Sequence, residues 1–147
     1  LFLKGVDAVF AEEGRSVQRI MRHEVDRFWM MLERTGMKEP EEVVILAENQ
    51  EILTEAAGVL AGSETVFSAV AGLYGRGTTM SILNYLDRGL IKGICVTDEF
   101  SRGYYSVREA VRALEGAGSV PTVMEAYYIQ KEDLRDPAFE KMLFPIE

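Results

Sequence analysis

A run of five consecutive apolar residues, "VVILA" at residues 43–47, limits most strongly what this chain can fold into. A continuous, largely β-branched run of this kind is typical of a strand that is buried on both faces of a parallel sheet. The polar residues Glu48, Asn49 and Gln50 follow directly, and apolar residues at helical spacing come next. Because parallel strands need helical crossovers, this stretch favours an α/β fold.

The same change from strand pattern to helix pattern recurs along the chain. Helices are predicted at residues 16–34 and then after the second, third and fourth strands. In the last three helices the residues predicted to face inward are Leu53, Ala56, Ala57 and Leu60, then Met80, Leu83 and Leu86, then Val107, Ala110, Val111 and Leu114. The predicted strands are residues 5–14, 43–47, 65–72, 93–98 and 122–130.

This order predicts a doubly wound, mostly parallel five-stranded sheet with right-handed crossovers, a flavodoxin-like single lobe. At 147 residues the chain has the size of one domain. We expect residues 1–147 to form a single α/β ligand-binding lobe. Residues 131–147 would be a tail that packs through Phe139, Leu143 and Phe144.

Composition excludes some classes of function. The net charge of -8 argues against direct contact with nucleic acid, since phosphate binding needs clustered lysine and arginine. No stretch of about 18 apolar residues is present, so no membrane span is expected in this chain. The one cysteine, Cys95, is expected to be a buried small hydrophobe. The sequence begins at Leu1 and leaves anything upstream undetermined.

Polar clusters follow the first four predicted strands. Loops at the carboxyl ends of parallel strands converge at one edge of the sheet, so these clusters predict a binding crevice there. The corresponding turns at the other edge have the composition of plain solvated turns. The clusters are Glu12-Glu13, Glu48-Asn49-Gln50, Tyr74-Gly75-Arg76-Gly77 and Asp98-Glu99-Phe100.

Each cluster also has a simpler interpretation. Asn49 is a good helix cap, and Asp98 is of a type common in loops. Arg76 could be a surface residue or a fork that binds a carboxylate or several hydroxyls. Tyr74 and Phe100 could stack on a sugar face or cover the edge of the core.

Catalytic patterns are weak. His23 is the only histidine and lies in a predicted helix between arginines, and no Cys/His metal spacing occurs. "GLYGRGTT" lacks the Gly-Lys-Ser/Thr of a P-loop. We therefore expect no enzyme and no cofactor.

Two alternatives remain: an enzyme that handles phosphate esters or nucleotides with Mg²⁺ held by Glu12, Glu13 and Asp98, and a structural or oligomerisation module. In that module the helix at 16–34 would expose Trp29, Met30 and Met31.

Residues 43–147 resemble the type-1 periplasmic binding proteins and the effector domains of lac-repressor-like transcription regulators, mainly their carboxy-terminal lobe. The resemblance rests on "VVILAENQEILTEAAGVL", on "AVAGLYGRGTTMSILNYLDRGLIKGICVTDEFSRGYYSVREAVRAL" and on the closing segment "IQKEDLRDPAFEKMLFP". It implies binding of a small polar ligand, a sugar or sugar-like solute, by a solute-binding or sensor domain without catalysis.

The resemblance also implies ligand-contact positions. Asn49, Thr97 and Asp98 fall where sugar-binding members place polar contacts, and Tyr74 or Phe100 would pack on the ligand. Tyr74 replaces an aspartate common in sugar binders, which argues against a plain monosaccharide. Arg76 would suit an anionic or amino-acid-like ligand instead, or a phosphorylated sugar. Only one lobe is expected in this chain, and two alternatives follow. Either a missing amino-terminal lobe or a second copy is the partner, or the chain is a free-standing flavodoxin-like half that closes its own sheet with residues 104–130, which the five predicted strands favour. An extracytoplasmic location is favoured over a cytoplasmic one.

Overall fold

A computed structural model of the chain describes residues 2–14, 17–35, 43–118 and 122–144. Within these ranges it contains seven α-helices, two 3-10 helices and four strands. The first part holds α1 (Phe2–Glu12), a 3-10 turn (Arg22–Glu24) and α2 (Val25–Thr35). The elements that follow are β1 (Val43–Leu46), α3 (Gln50–Gly62), α4 (Glu64–Ala69), β2 (Val70–Arg76), α5 (Met80–Asp87), β3 (Gly93–Thr97), α6 (Glu99–Leu114), β4 (Ala126–Ile129), a second 3-10 turn (Lys131–Arg135) and α7 (Pro137–Leu143).

The four strands form one sheet in the order β1-β2-β3-β4. The first three strands are parallel, and β4 pairs antiparallel with β3 at the edge. Helices α3 and α4 connect β1 to β2, and α5 connects β2 to β3, as parallel pairing requires. The prediction of an α/β fold with a mostly parallel sheet, in the form of a single flavodoxin-like lobe, is confirmed.

One face of the sheet forms the core of the described residues. Side chains alternate between faces along a strand, and Leu73, Ile94 and Ile129 on this face are fully buried. Helices α3 and α5 supply most of the opposing surface. Their buried residues are Leu53, Ala56, Ala57, Leu60, Ile82, Leu83 and Leu86. These helices therefore bury their apolar faces as predicted, apart from Met80, which is exposed.

The opposite face of the sheet is much more open. Val44 and Tyr128 on this face are more than half exposed, at 54% and 55%. The ring of Tyr74 lies over Gly72, where an added Cβ would come within 2.6 Å of Tyr74 Cε2, and Tyr128 covers Gly93 in the same way. The two tyrosines therefore lie along the sheet and shield glycine backbone that has no side chain of its own.

The predicted strand at residues 5–14 is wrong. Residues Phe2–Glu12 form α1 instead, with Val6 and Phe10 half-buried one helical turn apart. The apolar residues at positions 6, 8, 9 and 10 are spaced closely enough to fit either a strand or a helix. Whether a strand forms is decided by pairing with distant residues, which a local pattern does not contain. The described part of the chain therefore has four strands, not five.

Two further boundaries are corrected. Residues 65–72 were expected to be a strand, but Ser63 caps a short helix at Glu64–Ala69, and β2 begins only at Val70. As a result, Tyr74 and Arg76 belong to β2 and not to a turn. The helix expected at residues 16–34 is helical from Arg22 onward in the described residues, and its predicted start at Ser16 lies outside them.

The last predicted helix differs more strongly. The segment "EFSRGYY", expected to be a loop, forms the first two turns of α6. None of the α6 residues is buried, and Val107, Ala110, Val111 and Leu114 are exposed and not inward-facing. In the tail, Leu143 is buried and Phe139 packs on the core, whereas Phe144 is exposed.

Candidate functional site

A cleft of about 850 Å³ lies at the carboxyl edge of the three parallel strands. This is the edge at which the polar clusters of the sequence were expected to converge. We refer to it as the carboxyl-edge cleft. Its lining residues are Lys4, Glu48, Asn49, Gln50, Arg76, Gly77, Thr78, Cys95, Val96, Thr97, Glu99 and Arg102.

Three helices begin at this edge, each after a strand end. Asn49 caps α3 by accepting a hydrogen bond from Ile52 N at 2.9 Å, and Asp98 caps α6 through Ser101 N at 3.1 Å. Thr79 caps α5 through Ile82 N at a longer 3.4 Å. A helix N-terminus carries partial positive charge. The cleft is therefore bordered by three such termini.

The sequence left a helix cap and a ligand contact as alternatives for Asn49, and its geometry is compatible with both. Its Oδ1 is used by the helix cap, as described above. Its Nδ2 makes no hydrogen bond to the described residues, and its side chain is exposed on the cleft wall. An amide has two donors on its nitrogen in addition to the acceptor oxygen. Asn49 can therefore cap α3 and donate to a ligand at the same time.

Arg76 is placed by the turn that ends β2. Gly77 follows it with a φ of +126°, a conformation that other residues rarely adopt. A Cβ on Gly77 would lie 2.6 Å from Gln50 Cβ and 2.9 Å from Ile82 Cδ1. The turn is thus packed against the start of α3. This packing holds Arg76 beside Asn49 and Gln50, and the Arg76 guanidinium has no hydrogen bond or ion pair with the described residues.

The third wall of the cleft comes from β3 and α6. Thr97 Oγ1 donates a hydrogen bond to Glu99 Oε1 at 3.2 Å, and Glu99 also forms an ion pair with Arg102 one helical turn later. Lys4 of α1 lines the same space. This wall therefore offers a hydroxyl and a balanced acid–base pair, with an additional ammonium group.

Of the six predicted ligand-contact residues, three line the cleft together: Asn49, Arg76 and Thr97. Tyr74, Asp98 and Phe100 do not belong to the lining. The Tyr74 ring extends back over Gly72, away from the strand end, because a glycine there leaves room for it. Phe100 lies on α6 with 82% of its surface exposed.

Asp98 is occupied by its own helix. Its Oδ2 accepts a hydrogen bond from Ser101 Oγ at 2.6 Å, and its Oδ1 accepts the one from Ser101 N. The side-chain bond from Ser101, followed by the backbone bond from the same residue, lowers the pKa of Asp98 below its ordinary value. Both carboxylate oxygens are thus engaged in capping.

Several lining residues were missed from the sequence. Lys4 lies just before the predicted strand at residues 5–14, and Arg102 was assigned to a loop, because α1 and α6 were not recognised at those positions. Cys95 was expected to be buried, but it is exposed on the open face of the sheet. A helix that starts at Glu99 places Arg102 one turn along on the same side. The capping pattern of Asp98 followed by Ser101 was the signal that could have found it.

The magnesium site proposed as an alternative is not formed. Glu12 and Glu13 lie at the end of α1 and not at the end of a strand. Among the residues that the structure describes, no group of three or more His, Cys, Asp or Glu side chains could hold a metal ion. The same ranges contain no helix that is long and apolar enough to cross a membrane. For the proposed oligomerisation helix, Trp29 packs against the core, whereas Met30 is exposed.

A second cavity of about 610 Å³ lies between α5 and the tail, lined in part by Tyr85, Leu134 and Phe144. Two of its charged residues, Asp87 and Arg135, pair with each other at 3.7 Å. The carboxyl-edge cleft, by contrast, holds the Arg76 guanidinium and the Asn49 amide nitrogen, neither of which has a partner among the described residues. We therefore take the carboxyl-edge cleft as the candidate site.

No family model matches this sequence, and no curated protein matches it by sequence. Solved structures do match. An ABC transporter solute binding protein from Agrobacterium vitis, bound with α-D-tagatopyranose, has 19% identity and a TM-score of 0.74 over 97% of this chain. A carbohydrate transporter solute binding protein from Agrobacterium radiobacter, in complex with D-arabinose, has 21% identity and a TM-score of 0.63 over 78%.

A third match is described as an ABC transporter, LacI family transcriptional regulator from Brachyspira murdochii, with 20% identity and a TM-score of 0.61 over 84% of this chain. The matches cover 49%, 39% and 40% of those structures, in the order given. This chain therefore spans less than half the length of the solved proteins it matches. At such identities the likeness concerns the fold, and it agrees with the resemblance found in the sequence. The chain has a type-1 periplasmic-binding-protein-like fold, of which it represents about one lobe.

Proposed function

We propose that the carboxyl-edge cleft binds a small polar ligand, a sugar or a sugar-like solute, and that the chain acts as part of a solute-binding or sensor domain without catalysis. The observation that carries this proposal is the convergence of three hydrogen-bonding groups from three strand ends: the Asn49 amide, the Arg76 guanidinium and the Thr97 hydroxyl. Hydroxyl-rich ligands need several such groups in fixed positions.

The solved proteins of the same fold support the ligand class, because two of them contain D-arabinose and α-D-tagatopyranose. They also support a binding role over an enzymatic one. Their descriptions as transporter solute binding proteins favour a location outside the cytoplasm. The LacI-family match keeps a cytoplasmic sensor as the alternative.

We further propose that a second lobe, or a second copy of this chain, completes the site. The carboxyl-edge cleft is open to solvent, and Asn49, Arg76 and Thr97 all come from the ends of neighbouring strands of one sheet. A facing surface would supply the remaining contacts and exclude water, which strengthens each hydrogen bond to the ligand. Binding to this chain alone would consequently be weak, and a direct spectroscopic titration is the suitable measurement.

The test is a titration of the isotope-labelled chain with D-arabinose, D-tagatose and hexoses, followed by amide chemical shifts. We expect shifts that saturate at residues 48–50, 76–78 and 95–99. The key variant is Asn49→Asp, which keeps a capping oxygen but removes the amide donor. It should weaken binding by about 1–3 kcal/mol without loss of thermal stability.

The matched control is Asn84→Ala, because Asn84 is exposed on α5 and lies outside the carboxyl-edge cleft. This variant should bind as the unmodified chain does. If none of the sugars produces saturable shifts in the cleft residues, the proposal of sugar binding by this chain is wrong. Equal affinities of the Asn49→Asp variant and the unmodified chain would remove Asn49 from the site while leaving the cleft itself in place.

A further inference from the structure

We propose that the ligand of the carboxyl-edge cleft is an acidic sugar, whose carboxylate is bound by Arg76. The inference rests on the proposed function, since it names the chemical class of the ligand at that same site. It is carried by the distribution of charge in the cleft, by the lack of a partner for Arg76 within the described part of the chain, and by the direction of three helices.

The cleft has a charge balance opposite to that of the chain. The whole sequence has a net charge of -8. The lining contains three basic residues, Lys4, Arg76 and Arg102, against two acidic ones, Glu48 and Glu99. An excess of positive charge in an acidic protein does not follow from composition. It indicates a site that attracts an anion, because a cleft concentrates the field of the charges that line it.

The basic residues differ in whether they are already paired. Arg102 forms an ion pair with Glu99, which also accepts a hydrogen bond from Thr97, so these two charges offset each other. Arg76 is exposed to the cleft and has no acidic partner among the residues that the structure describes. A guanidinium presents a planar fork of donors that matches the two oxygens of a carboxylate. Lys4 has no acidic partner among the described residues either, but its ammonium group is a point charge, so Arg76 is the group whose geometry fits a carboxylate.

The position of Arg76 is fixed by its surroundings. It is the last residue of β2, and its backbone neighbour Gly77 is packed against Gln50 and Ile82. A fork on a rigid strand end loses less conformational freedom on binding than one on a mobile loop. This placement favours a specific carboxylate contact over a diffuse attraction.

The helices add to the same field. Helices α3, α5 and α6 all begin at this edge, and their N-termini direct partial positive charge toward it. Glu48 has no ion pair among the residues that the structure describes, and its carboxylate offers acceptors for sugar hydroxyls, so the cleft can bind the neutral part of the ligand as well. A sugar with one carboxylate and several hydroxyls fits this combination.

The experiment compares sugars that differ in a single group. D-galactose is paired with D-galacturonate, and D-glucose with D-glucuronate, so a carboxylate replaces one hydroxymethyl group in each pair. Affinities come from amide chemical shifts of the chain at low ionic strength. We expect at least one acidic member to bind about tenfold more tightly than its neutral counterpart, with a preference that falls as salt is added.

Variants then test the residue. The measured quantity is the ratio of the affinities for the acidic and the neutral sugar in the same variant. Arg76→Gln should bring this ratio close to one, even where it also weakens binding of the neutral sugar, and Arg76→Lys should retain part of the preference, because the charge stays but the planar guanidinium is lost. The control is Arg27→Gln, since Arg27 is exposed on α2 and does not line the cleft. It changes the net charge of the chain equally and should leave the preference intact.

The outcomes separate the two proposals. Binding of neutral sugars in the cleft without any preference for the acids would overturn the acidic-ligand inference and leave sugar binding standing. An acidic preference that survives Arg76→Gln would overturn the role of Arg76. The absence of binding by every sugar, neutral and acidic, would overturn the proposed function and this inference together.

Discussion

Helices α3 and α6 begin at the same edge of the sheet, but the apolar residues of α3 are buried and those of α6 are exposed to solvent. Each follows a strand, each is capped by a side chain, Asn49 or Asp98, and each has apolar residues at helical spacing. In α3 the predicted inward residues are buried, and Leu53 has no exposed surface. In α6 none is buried, and Leu114 is 88% exposed.

The difference follows from what each helix connects. Together with α4, α3 joins two parallel strands, so the crossover must return along the sheet and packs on its face. Helix α6 joins β3 to its antiparallel neighbour β4, a pairing that does not require a crossover on the face. The half-buried side of α6 carries Ser101, Tyr105, Glu109 and Arg112. Periodicity therefore predicts a helix and its stripe, whereas strand direction decides whether the stripe is covered.

The largest expected contrast is in the loss of folding stability when a leucine of either helix is replaced by alanine. Leu53→Ala should lower the free energy of unfolding by about 2–5 kcal/mol, because it leaves a cavity between α3 and the sheet. Leu114→Ala should change it by less than about 0.5 kcal/mol, since the side chain is already in solvent. Urea denaturation of both variants measures the two values.

The same pair of variants can break the comparison. A Leu114→Ala cost close to that of Leu53→Ala would mean that α6 buries its stripe in solution. Size-exclusion chromatography at several protein concentrations would then show whether a second copy covers it. A small cost for Leu53→Ala would instead contradict the assignment of the core to the α3 face.

Two glycines give the next contrast. Gly77→Ala, in the turn against α3, should destabilise the fold by about 1–3 kcal/mol, since φ is +126° and the new Cβ would meet Gln50. Gly103→Ala, inside α6, has no atom within 4 Å of the added Cβ and should gain about 0.5–1 kcal/mol of helix stability.

Thermal unfolding followed by circular dichroism distinguishes these two glycine variants. A Gly77→Ala chain that is as stable as the unmodified one would show that the turn relaxes and does not fix Arg76. Loss of helical signal in Gly103→Ala would contradict the open surroundings of α6. Because Gly77 lies in the carboxyl-edge cleft, the first variant should also weaken ligand binding.

The sequence predicted best what depends on neighbouring residues. "VVILA" and "GICVTD" correctly predicted β1 and β3, and the apolar spacing from Leu53 to Leu60 correctly predicted α3. Buried strands and amphipathic helices can be recognised in this way because their hydrophobic pattern lies in neighbouring residues. The predictions of a strand at 5–14 and of a buried apolar face on α6 were wrong, because strand pairing and helix burial both depend on residues that are distant in the sequence. Of the lining of the candidate site, Asn49 and Arg76 were predicted because strand ends converge, and Thr97 was predicted from the resemblance to a known family. Lys4 was missed, because it belongs to an element whose position no local pattern contains.

The smallest expected contrast between α3 and α6 is in the stability of their first turns at low pH. Both caps accept a backbone hydrogen bond, but only that of α6 titrates, because Asn49 has no ionisable group. The hydrogen bonds from Ser101 lower the pKa of Asp98. A carboxyl whose pKa is lower in the folded state stabilises α6 fully above its ordinary pKa of about 3.9, and this contribution is lost as pH falls through the lower folded value. Amide exchange should therefore show α6 fraying in acid before α3 does.

Ser101→Ala provides the check on the cause of this acid sensitivity. It removes the hydroxyl donor, which lies 2.6 Å from Asp98 Oδ2, but keeps the backbone donor. The pKa of Asp98, followed by carboxyl chemical shift, should rise toward its ordinary value, and α6 should begin to fray at higher pH. Ser106→Ala is the matched control, since Ser106 donates to the Arg102 carbonyl within the same helix and has no contact with the cap. If Asp98 titrates identically in all three proteins, the backbone hydrogen bonds to Asp98 alone hold the start of α6. The difference in acid sensitivity between α6 and α3 would then come from the cap as a whole and not from the Ser101 hydroxyl.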